Sequence, residues 1–439
     1  MTTLELPLLD LADVAADAPL FMQRDGVIGR GQFAAAVEAL SRRLPQQPYT
    51  LNLCENRYAF SVALAAAALR GQTALLPSSS AAGALEALAL AYPGATVLSE
   101  SAAAGGLLVD SNAGAGWSNR LPSIEADAAL AIAFTSGSTG QPQPQVKTWR
   151  ALRHVGAQLS QRFLDGLGRC SIVATVPPQH MYGLESSIML PLAGGHCVWT
   201  GRPAFPDDVR AALEAMPAPR VLVTTPMHVR ALLLAGTRLP PLACLVSATA
   251  PLPLELAERA EQAWAAPLLE VYGCSEAGTV ATRRTTDSDV WQPLDGIRVE
   301  QRDGVSLVHG NHLPEAVPLQ DVLEADGDGF RLLGRASDML KVAGKRASLA
   351  DLTQKLLSIP GVIDGVVFQP EAGDDSGMLQ RPAALVVAPQ LSENEILSAL
   401  GRLIDPVFLP RPLRKIGGLP RNTVGKLPRS TLQRLLADA

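Results

Sequence analysis

The chain has 439 residues, which is too long for one ordinary hydrophobic core and predicts two or three domains. Hydrophobic residues make up 47% of the sequence and charged residues 18%, a composition typical of soluble globular proteins and not of disordered chains. The formal net charge of −5 gives no support to nucleic-acid binding as the main task.

Cysteine usage and the N-terminus predict a cytoplasmic protein. The five cysteines lie far apart and form no CxxC pair, which argues against a zinc site or a disulfide framework. The N-terminal segment MTTLELPLLD has no basic region, so we predict no signal peptide. The strongest apolar run, Phe60 to Leu69, is well short of the roughly 20 residues of a membrane span and indicates a buried helix.

Helices alternate with strands in the first hundred residues. After a helix that begins near residue 30 come the strand YTLNLCEN, the helix RYAFSVALAAAALRG, the strand QTALLP, the helix AAGALEALALAY and the strand ATVLSE. This alternation predicts a parallel, doubly wound sheet. The pattern returns in the apolar strands CSIVATVPP, HCVWT, RVLVTTP and ACLVSATA, each ending in a turn, where α/β proteins bind ligands.

The character of the sequence changes after residue 280. Residues 281–335 are rich in Asp, Gly and charge, with short alternating runs that predict antiparallel β-structure. After Asp338 a smaller unit of helices and strands begins. We therefore predict an α/β protein with two domains. The large N-terminal domain, residues 1–337, has doubly wound sheets and a β-rich subdomain, and the small domain, residues 338–439, is α+β.

The segment FTSGSTGQPQPQVKTW, residues 134–149, concentrates glycines and hydroxyls after the strand ALAIAF. Glycines let the backbone approach a polyphosphate closely, and N–H groups and hydroxyls can cradle its oxygens. No GK[ST] follows, so the segment is not a Walker loop. An ordinary turn between a strand and a helix is the alternative interpretation.

Three further segments contain candidate chemistry, each with a structural alternative. In EVYGCSEAGTVATR, Glu276 could hold Mg²⁺ or be a surface carboxylate, and Tyr272 could lie against a base. In LLGRASDMLKVAGKR, Arg335 and Asp338 could form a hinge or an ordinary linker. In LPRNTVGKLPR, Lys426 could be a point charge brought to a phosphate or a solvated lysine.

These four segments, in this order and spacing, resemble the adenylate-forming superfamily of acyl-CoA synthetases, aryl-acid ligases, carrier-protein loading enzymes, luciferases and adenylation domains. The resemblance extends from about residue 45 to about residue 435. It implies an acid–thiol ligase that uses ATP and Mg²⁺. The short chain is similar to compact bacterial ligases that load carrier proteins in aryl-polyene or xanthomonadin-type pigment pathways.

The resemblance implies an ATP site built from several segments. Its predicted members are Thr135, Ser136, Gly137, Ser138, Thr139, Gly140, Lys147, Ala248, Thr249, Ala250, Pro251, Tyr272, Gly273, Ser275, Asp321 and Arg335. The family usually has lysine where Gln143 stands and glycine where Ala248 stands. We predict that Lys147 reaches back to replace the missing charge at position 143, provided that the two-proline segment loops out.

The resemblance also implies the catalytic groups and their physical task. The attack of a carboxylate on the α-phosphate of ATP brings two anions together, which something must neutralise and align. Glu276 would hold Mg²⁺, and Lys426 would bridge the acid and the α-phosphate. Rotation about Asp338 would then withdraw Lys426 and present Gly344, Lys345 and Arg346 to the incoming thiol.

The segment PPQHMYGLESSIMLPLAGG resembles the floor of the family's acyl pocket, with His180 as a further catalytic candidate or a packed core histidine. Amino-acid-activating members have an aspartate where Met181 stands, so a substrate with a buried α-ammonium is disfavoured. The mixed polar and apolar lining suits an aryl or hydroxyaryl acid, although a medium-chain acid is the alternative. The predicted lining residues are His180, Met181, Tyr182, Met227, His228, Ser247, Cys274 and Thr279.

The predicted thiol acceptor is CoA or the phosphopantetheine of an acyl carrier protein. Between Pro406 and Ala437 the sequence has basic residues and no acidic one, which suits either acceptor or an ordinary solvated tail. We predict no nucleic-acid partner. A second hypothesis is an adenylating enzyme that stops at acyl-AMP or transfers the acyl group to a non-thiol acceptor. A third hypothesis is a catalytically inactive, nucleotide-binding relative, and the presence of both Glu276 and Lys426 argues against it.

Overall fold

The fold comes from a computed structural model that describes residues 4–7, 15, 17–77, 79–101, 105–110, 116–118, 122–136, 142–303, 305–335, 339–342, 345–370, 381–421 and 427–438. The site predictions for six residues lie outside the described ones: Gly137, Ser138, Thr139, Gly140, Asp338 and Gly344. Lys426 also lies outside them.

The described helices follow the predicted alternation closely. The helix Arg57–Leu69 begins where the Asn56 side chain accepts hydrogen bonds from the N–H groups of Tyr58 and Ala59, and it buries every residue except Leu69. Its many alanines permit this close packing on all sides. The other α-helices are Arg30–Arg43, Ala82–Ala91, Trp149–Leu164, Met181–Leu184, Leu190–Gly194, Pro206–Ala215, Pro226–Leu234, Leu254–Trp264, Leu349–Leu357, Glu393–Leu400 and Arg429–Asp438.

A six-stranded sheet contains the strand that leads to the glycine-rich loop. Its strands, in spatial order, are Pro142–Thr148, Ala129–Ser136, Thr73–Leu76, Tyr49–Asn52, Thr96–Ser99 and Leu107–Leu108. Neighbours are parallel, as predicted, except at the first pair, which is antiparallel. Thr135 and Ser136 therefore end one strand of a hairpin. The interpretation of a strand-to-helix turn is wrong, because a second strand intervenes before the helix Trp149–Leu164.

An eleven-stranded mixed sheet forms the centre of the large unit. Its strands, in spatial order, are Asp321–Asp326, Gly329–Arg335, Val290–Pro293, Gly278–Arg284, Leu268–Cys274, Cys244–Ser247, Arg220–Thr224, Ser171–Ala174, Cys197–Trp199, Pro19–Gln23 and Gly26–Gly29. Pairing is parallel from Leu268–Cys274 to Pro19–Gln23 and antiparallel beyond both of these strands. The sheet is thus doubly wound at its centre and closed by hairpins.

The region after residue 280 is antiparallel, which confirms the prediction for residues 281–335. Besides the strands that it adds to the large sheet, it forms a three-stranded antiparallel sheet of Ile297–Arg302, Val305–Gly310 and Val317–Leu319. Arg335 pairs with Asp321 across the hairpin of Asp321–Asp326 and Gly329–Arg335. A short pair, Glu5–Pro7 with Ser123–Glu125, lies elsewhere in the large unit.

The C-terminal part has a hydrophobic core of its own, built from residues between Leu340 and Leu413. It contains the hairpin Met339–Val342 with Lys345–Ser348, in which Lys345 and Arg346 lie, and the sheet Asp364–Phe368, Ala383–Val387 and Leu413–Lys415. The separate core is consistent with a second domain, and the boundary at residue 338 stays our prediction. Within the described part of the chain, every helix is too short or too polar to cross a bilayer.

Candidate active site

Two parallel strands bring seven of the predicted nucleotide-binding residues to one edge of the large sheet. Cys244–Ser247 and Leu268–Cys274 are neighbours, with Ser247 opposite Glu270 in the register. Their carboxyl ends therefore meet, as expected for a ligand site in an α/β sheet. The residues that follow or end these strands are Ala248, Thr249, Ala250 and Pro251 on the first, and Tyr272, Gly273, Cys274, Ser275 and Glu276 on the second.

The turn after Ser247 has two hydroxyls without partners. The Ser247 and Thr249 side-chain oxygens are buried and form no hydrogen bond with any described residue. Buried hydroxyls are nearly always paired in folded proteins. Thr249 also has φ near +80°, a left-handed conformation that is costly for a β-branched residue. Unpaired polar atoms beside a strained backbone are typical of a ligand site. This edge of the sheet therefore suits a ligand with hydrogen-bonding groups, such as a nucleotide.

A buried carboxylate ties this turn to the neighbouring strand. Glu270 accepts a hydrogen bond from the Leu252 N–H at 3.2 Å and from Arg283 Nε at 2.7 Å. Burial raises the pKa of Glu270, and the charge of Arg283 opposes this shift. The guanidinium of Arg283 lies over the Trp291 ring, 4.4 Å from its centroid. Glu270 therefore fixes the distance between the two segments predicted to enclose adenine.

The structure joins the predicted base-stacking and ribose-binding residues. The Tyr272 hydroxyl donates to Asp321 Oδ2 at 2.7 Å, although the two residues are far apart in sequence. The Tyr272 ring packs edge-on against Phe330 and tilted against Trp291, with centroid separations of 5.6 and 5.5 Å. An aromatic face and an oriented carboxylate therefore occur side by side, as recognition of a nucleoside requires.

Residues 274–278 form the turn that carries Glu276. Gly273, which precedes it, is obligatory, because a Cβ there would lie 2.3 Å from the Gly278 carbonyl oxygen. Glu276 itself is exposed at the tip, where a carboxylate can reach a metal–nucleotide complex. Burial, among other causes, raises the pKa of the neighbouring Cys274 thiol to about 12, which disfavours its thiolate form.

Lys147 does not follow the route predicted for it. Residues Pro142–Thr148 form a continuous edge strand, where prolines are tolerated, so the two-proline segment does not loop out. The Lys147 ammonium instead donates to the main-chain oxygen of Glu276 at 2.6 Å, and the residue is 7% exposed. Burial lowers the pKa of Lys147, and the charge of Glu185 counteracts it.

Five of the eight predicted acyl-pocket residues lie at or on two helical segments near the same edge, and Ser247, Cys274 and Thr279 lie on strands. His180 is the N-cap of the helix Met181–Leu184, and the Tyr182 hydroxyl donates to the Val246 carbonyl at 2.8 Å. His228 Nδ1 lies 2.9 Å from the Thr225 hydroxyl, and burial lowers the pKa of this histidine. Met227, on the same helix, is 40% exposed.

Sequence reasoning missed Glu185, which is 3% exposed and accepts hydrogen bonds from the Thr279 N–H and hydroxyl at 3.1 and 2.6 Å. It begins the π-helix Glu185–Met189, a rare feature that is frequent at functional sites. A signal was present, because Glu185 is the only charged residue between His180 and Gly195. Buried carboxylates in apolar segments are unusual without a specific partner.

Contacts link the two parts of the chain beside the segment that contains Lys426. Arg230, on the helix Pro226–Leu234, donates to the Ile363 carbonyl at 3.1 Å. The next residue, Asp364, accepts two hydrogen bonds from Arg421 at 2.7 and 3.0 Å. Arg421 is the last described residue before the segment with Lys426, so a bidentate ion pair anchors the start of that segment.

The fold and this site define a member of the adenylate-forming superfamily. Over 98% of both chains, the fold matches the o-succinylbenzoate–CoA synthetase of Bacillus subtilis in complex with its acyl-adenylate, with a TM-score of 0.81 at 19% identity. The sequence matches the AMP-binding enzyme family over residues 49–305, and the chain belongs to that family.

Two relatives are 4-coumarate–CoA ligases. That of Rhodobacter capsulatus is 30% identical over 256 residues, which span 56% of this chain and 64% of the relative. That of Halorhodospira halophila is 29% identical over 305 residues, which span 66% of this chain and 73% of the relative.

Proposed function

We propose that this protein is an AMP-forming acid–thiol ligase, which activates a carboxylic acid with ATP and transfers the acyl group to a thiol. The observation that carries the proposal is the joining of Tyr272 to Asp321 beside the Glu276 turn, at the carboxyl ends of two parallel strands. The proposed base platform, ribose ligand and metal ligand lie there together. The names of the relatives support the same reaction class.

Each group has a defined task in the first half-reaction. Tyr272 and the Ala248–Pro251 turn hold adenine, and Asp321 with Arg335 holds the ribose. Glu276 binds the Mg²⁺ that accompanies ATP, which supplies positive charge at the phosphates when bound. The residues of the loop from Thr135 to Gly140 donate hydrogen bonds to the leaving pyrophosphate, and Lys426 aligns the acid with the α-phosphate.

We propose an aryl or hydroxyaryl acid as the substrate. His180, Tyr182 and His228 supply polar atoms to the segments proposed to line the acyl pocket, and Met181 offers no counter-charge for an α-ammonium. Two relatives carry the name of an aryl-acid ligase, which favours this class over a medium-chain fatty acid.

The thiol acceptor of the second half-reaction is CoA or a carrier-protein phosphopantetheine. The names of the relatives favour CoA, whereas the resemblance to compact pigment-pathway ligases favours a carrier protein. Rotation of residues 338–439 about Asp338 exchanges Lys426 for the face of Gly344, Lys345 and Arg346 between the half-reactions.

An exchange experiment tests the proposal. The purified protein is expected to exchange labelled pyrophosphate into ATP only when a suitable acid is present, and absence of exchange across aryl and fatty acids would favour an inactive, nucleotide-binding relative. Lys426→Ala is expected to abolish exchange yet largely retain thioester formation from supplied acyl-AMP. Equal loss of both half-reactions would contradict the role given to Lys426. Competition between CoA and a holo-carrier protein then identifies the acceptor.

A further inference from the structure

The turn that carries Glu276 is held by three side chains from outside its own hairpin, of which Lys147 and Glu185 are buried. Lys147 donates to the Glu276 carbonyl, and Glu185 accepts from the Thr279 N–H. His312 Nε2 lies 3.3 Å from the Ala277 carbonyl oxygen. The backbone groups of Glu276, Ala277 and Thr279 are therefore each bonded by a side chain from a different part of the chain. An ordinary surface turn needs no such support, because water satisfies its backbone groups.

The burial of the Lys147 ammonium carries a desolvation cost that one hydrogen bond to a carbonyl oxygen does not explain. An ammonium that is almost completely buried loses its hydration, and an apolar side chain of similar length would pack at this place without that cost. The advantage of a buried lysine here must therefore come from the backbone position that its ammonium group fixes. Its hydrogen bond of 2.6 Å goes to the main-chain oxygen of Glu276, the residue that reaches the metal in the proposed reaction.

Glu185 holds the other side of the turn. Its Oε2 accepts both the N–H and the hydroxyl of Thr279. Its Oε1 lies where a Cβ on Gly278 would be only 2.5 Å away, so the carboxylate packs directly on a residue that has φ near +76°. A larger residue at position 278 would displace the carboxylate. Lys147 and Glu185 thus fix the backbone immediately at Glu276 and three residues after it.

We propose that Lys147 and Glu185 are positioning residues that fix the Glu276 turn, so that the Glu276 carboxylate is held in place for the metal of the ATP complex. This inference rests on the proposed function. Neither residue needs to touch ATP, because each acts through the backbone of the turn. Loss of either support frees the turn and weakens the metal-dependent part of ATP binding more than the metal-independent part.

Calorimetric titration of ATP, once with excess Mg²⁺ and once with EDTA, separates these parts. Lys147→Met removes the ammonium and keeps the length of the side chain. We expect the gain in ATP affinity that Mg²⁺ provides to fall by about tenfold, while affinity in EDTA changes by less than about twofold. Lys355→Met is the matched control, because it removes a lysine from an exposed ion pair with Asp351 in the C-terminal part.

Two milder variants keep the test decisive should Lys147→Met fail to fold. Thr279→Val deletes one hydrogen bond to Glu185 and should reduce the Mg²⁺-dependent gain by about threefold. Glu185→Gln keeps an oxygen acceptor for Thr279 and should retain more of the gain than Glu185→Leu.

The outcomes are distinct. An unchanged Mg²⁺-dependent gain in the folded variants overturns the proposal. Equal losses with Mg²⁺ and with EDTA overturn it too, because Lys147 would then contact the nucleotide directly. Failure of the unmodified protein to bind ATP under either condition instead refutes the proposed function.

Discussion

Removal of one hydroxyl tests whether Tyr272 orients Asp321. Tyr272→Phe keeps the ring and its packing against Trp291 and Phe330, and it deletes the hydrogen bond of 2.7 Å to Asp321 Oδ2. The base platform therefore stays, while the carboxylate proposed to hold the ribose loses a donor. We expect weaker ATP binding with little change in the folded structure.

The size of the effect follows from the charge and exposure of the acceptor. A hydrogen bond to a charged group contributes about 1.5–3 kcal/mol net. Asp321 is only half-buried, so water replaces part of the lost bond and about 1 kcal/mol remains. Since about 1.4 kcal/mol corresponds to a tenfold change in an equilibrium constant, ATP affinity should fall roughly fivefold.

Calorimetric titration of ATP measures the effect, and Tyr182→Phe is the matched comparison. Tyr182 also loses one hydroxyl bond, to the Val246 carbonyl, but it lies at the proposed acyl pocket. We expect Tyr182→Phe to change the KM for the acid in pyrophosphate exchange and to leave ATP affinity within about twofold. Unchanged ATP affinity in Tyr272→Phe, or equal weakening in both variants, would refute the assignment of Asp321 to the nucleotide.

Two further predictions concern stability. His196, which is buried beside Ser160 and Cys170, has its pKa lowered to about 4 by burial and by the charge of Arg169. The unfolded chain binds the proton more readily, so this contribution is present above about pH 6.5 and is lost as pH falls towards 4, by about 3 kcal/mol. The free energy of unfolding of His196→Gln, measured in urea, should accordingly fall less between pH 7 and 4.5 than that of the unmodified protein. An equal fall in both proteins would contradict this. Thr249→Gly relieves a left-handed threonine with a buried unpaired hydroxyl and should raise the free energy of unfolding by about 1 kcal/mol, as thermal melting without nucleotide can show.

Local patterns predicted most of the fold because its central strands are short, apolar and followed by clear helices. They failed at the hairpin after Ser136. Pro142 and Pro144 argued for a loop, since proline cannot donate to a sheet ladder. The strand Pro142–Thr148 is an edge strand, with one side free of that requirement. Whether a segment lies at an edge depends on the strand order, which residues 142–148 do not encode by themselves.

Some residues of the candidate site could also be predicted from local sequence, whereas others depend on contacts between remote segments. Tyr272 and Glu276 stand in one short motif, so their proximity could be predicted from spacing. The bond from Tyr272 to Asp321 needs the hairpin Asp321–Arg335 to join one end of the large sheet. Glu185 and Lys147 were harder still, because their importance lies in burial and in partners that are remote in sequence.

The glutamine at position 143 and the buried lysine at position 147 have one physical explanation. Residues four apart on a strand are separated by about 13 Å, which is beyond the reach of the lysine side chain once its ammonium is bonded to the Glu276 carbonyl. Lys147 therefore cannot supply charge where Gln143 stands. If phosphates bind at that loop, Glu276 must recruit more of the neutralising charge through its metal. An enzyme with Gln143 should consequently depend strongly on the position of Glu276, which is what Lys147 and Glu185 secure in our proposal. Gln143→Lys should then weaken the Mg²⁺ dependence of ATP binding. An unaltered dependence would contradict the link between Gln143 and the support of the Glu276 turn.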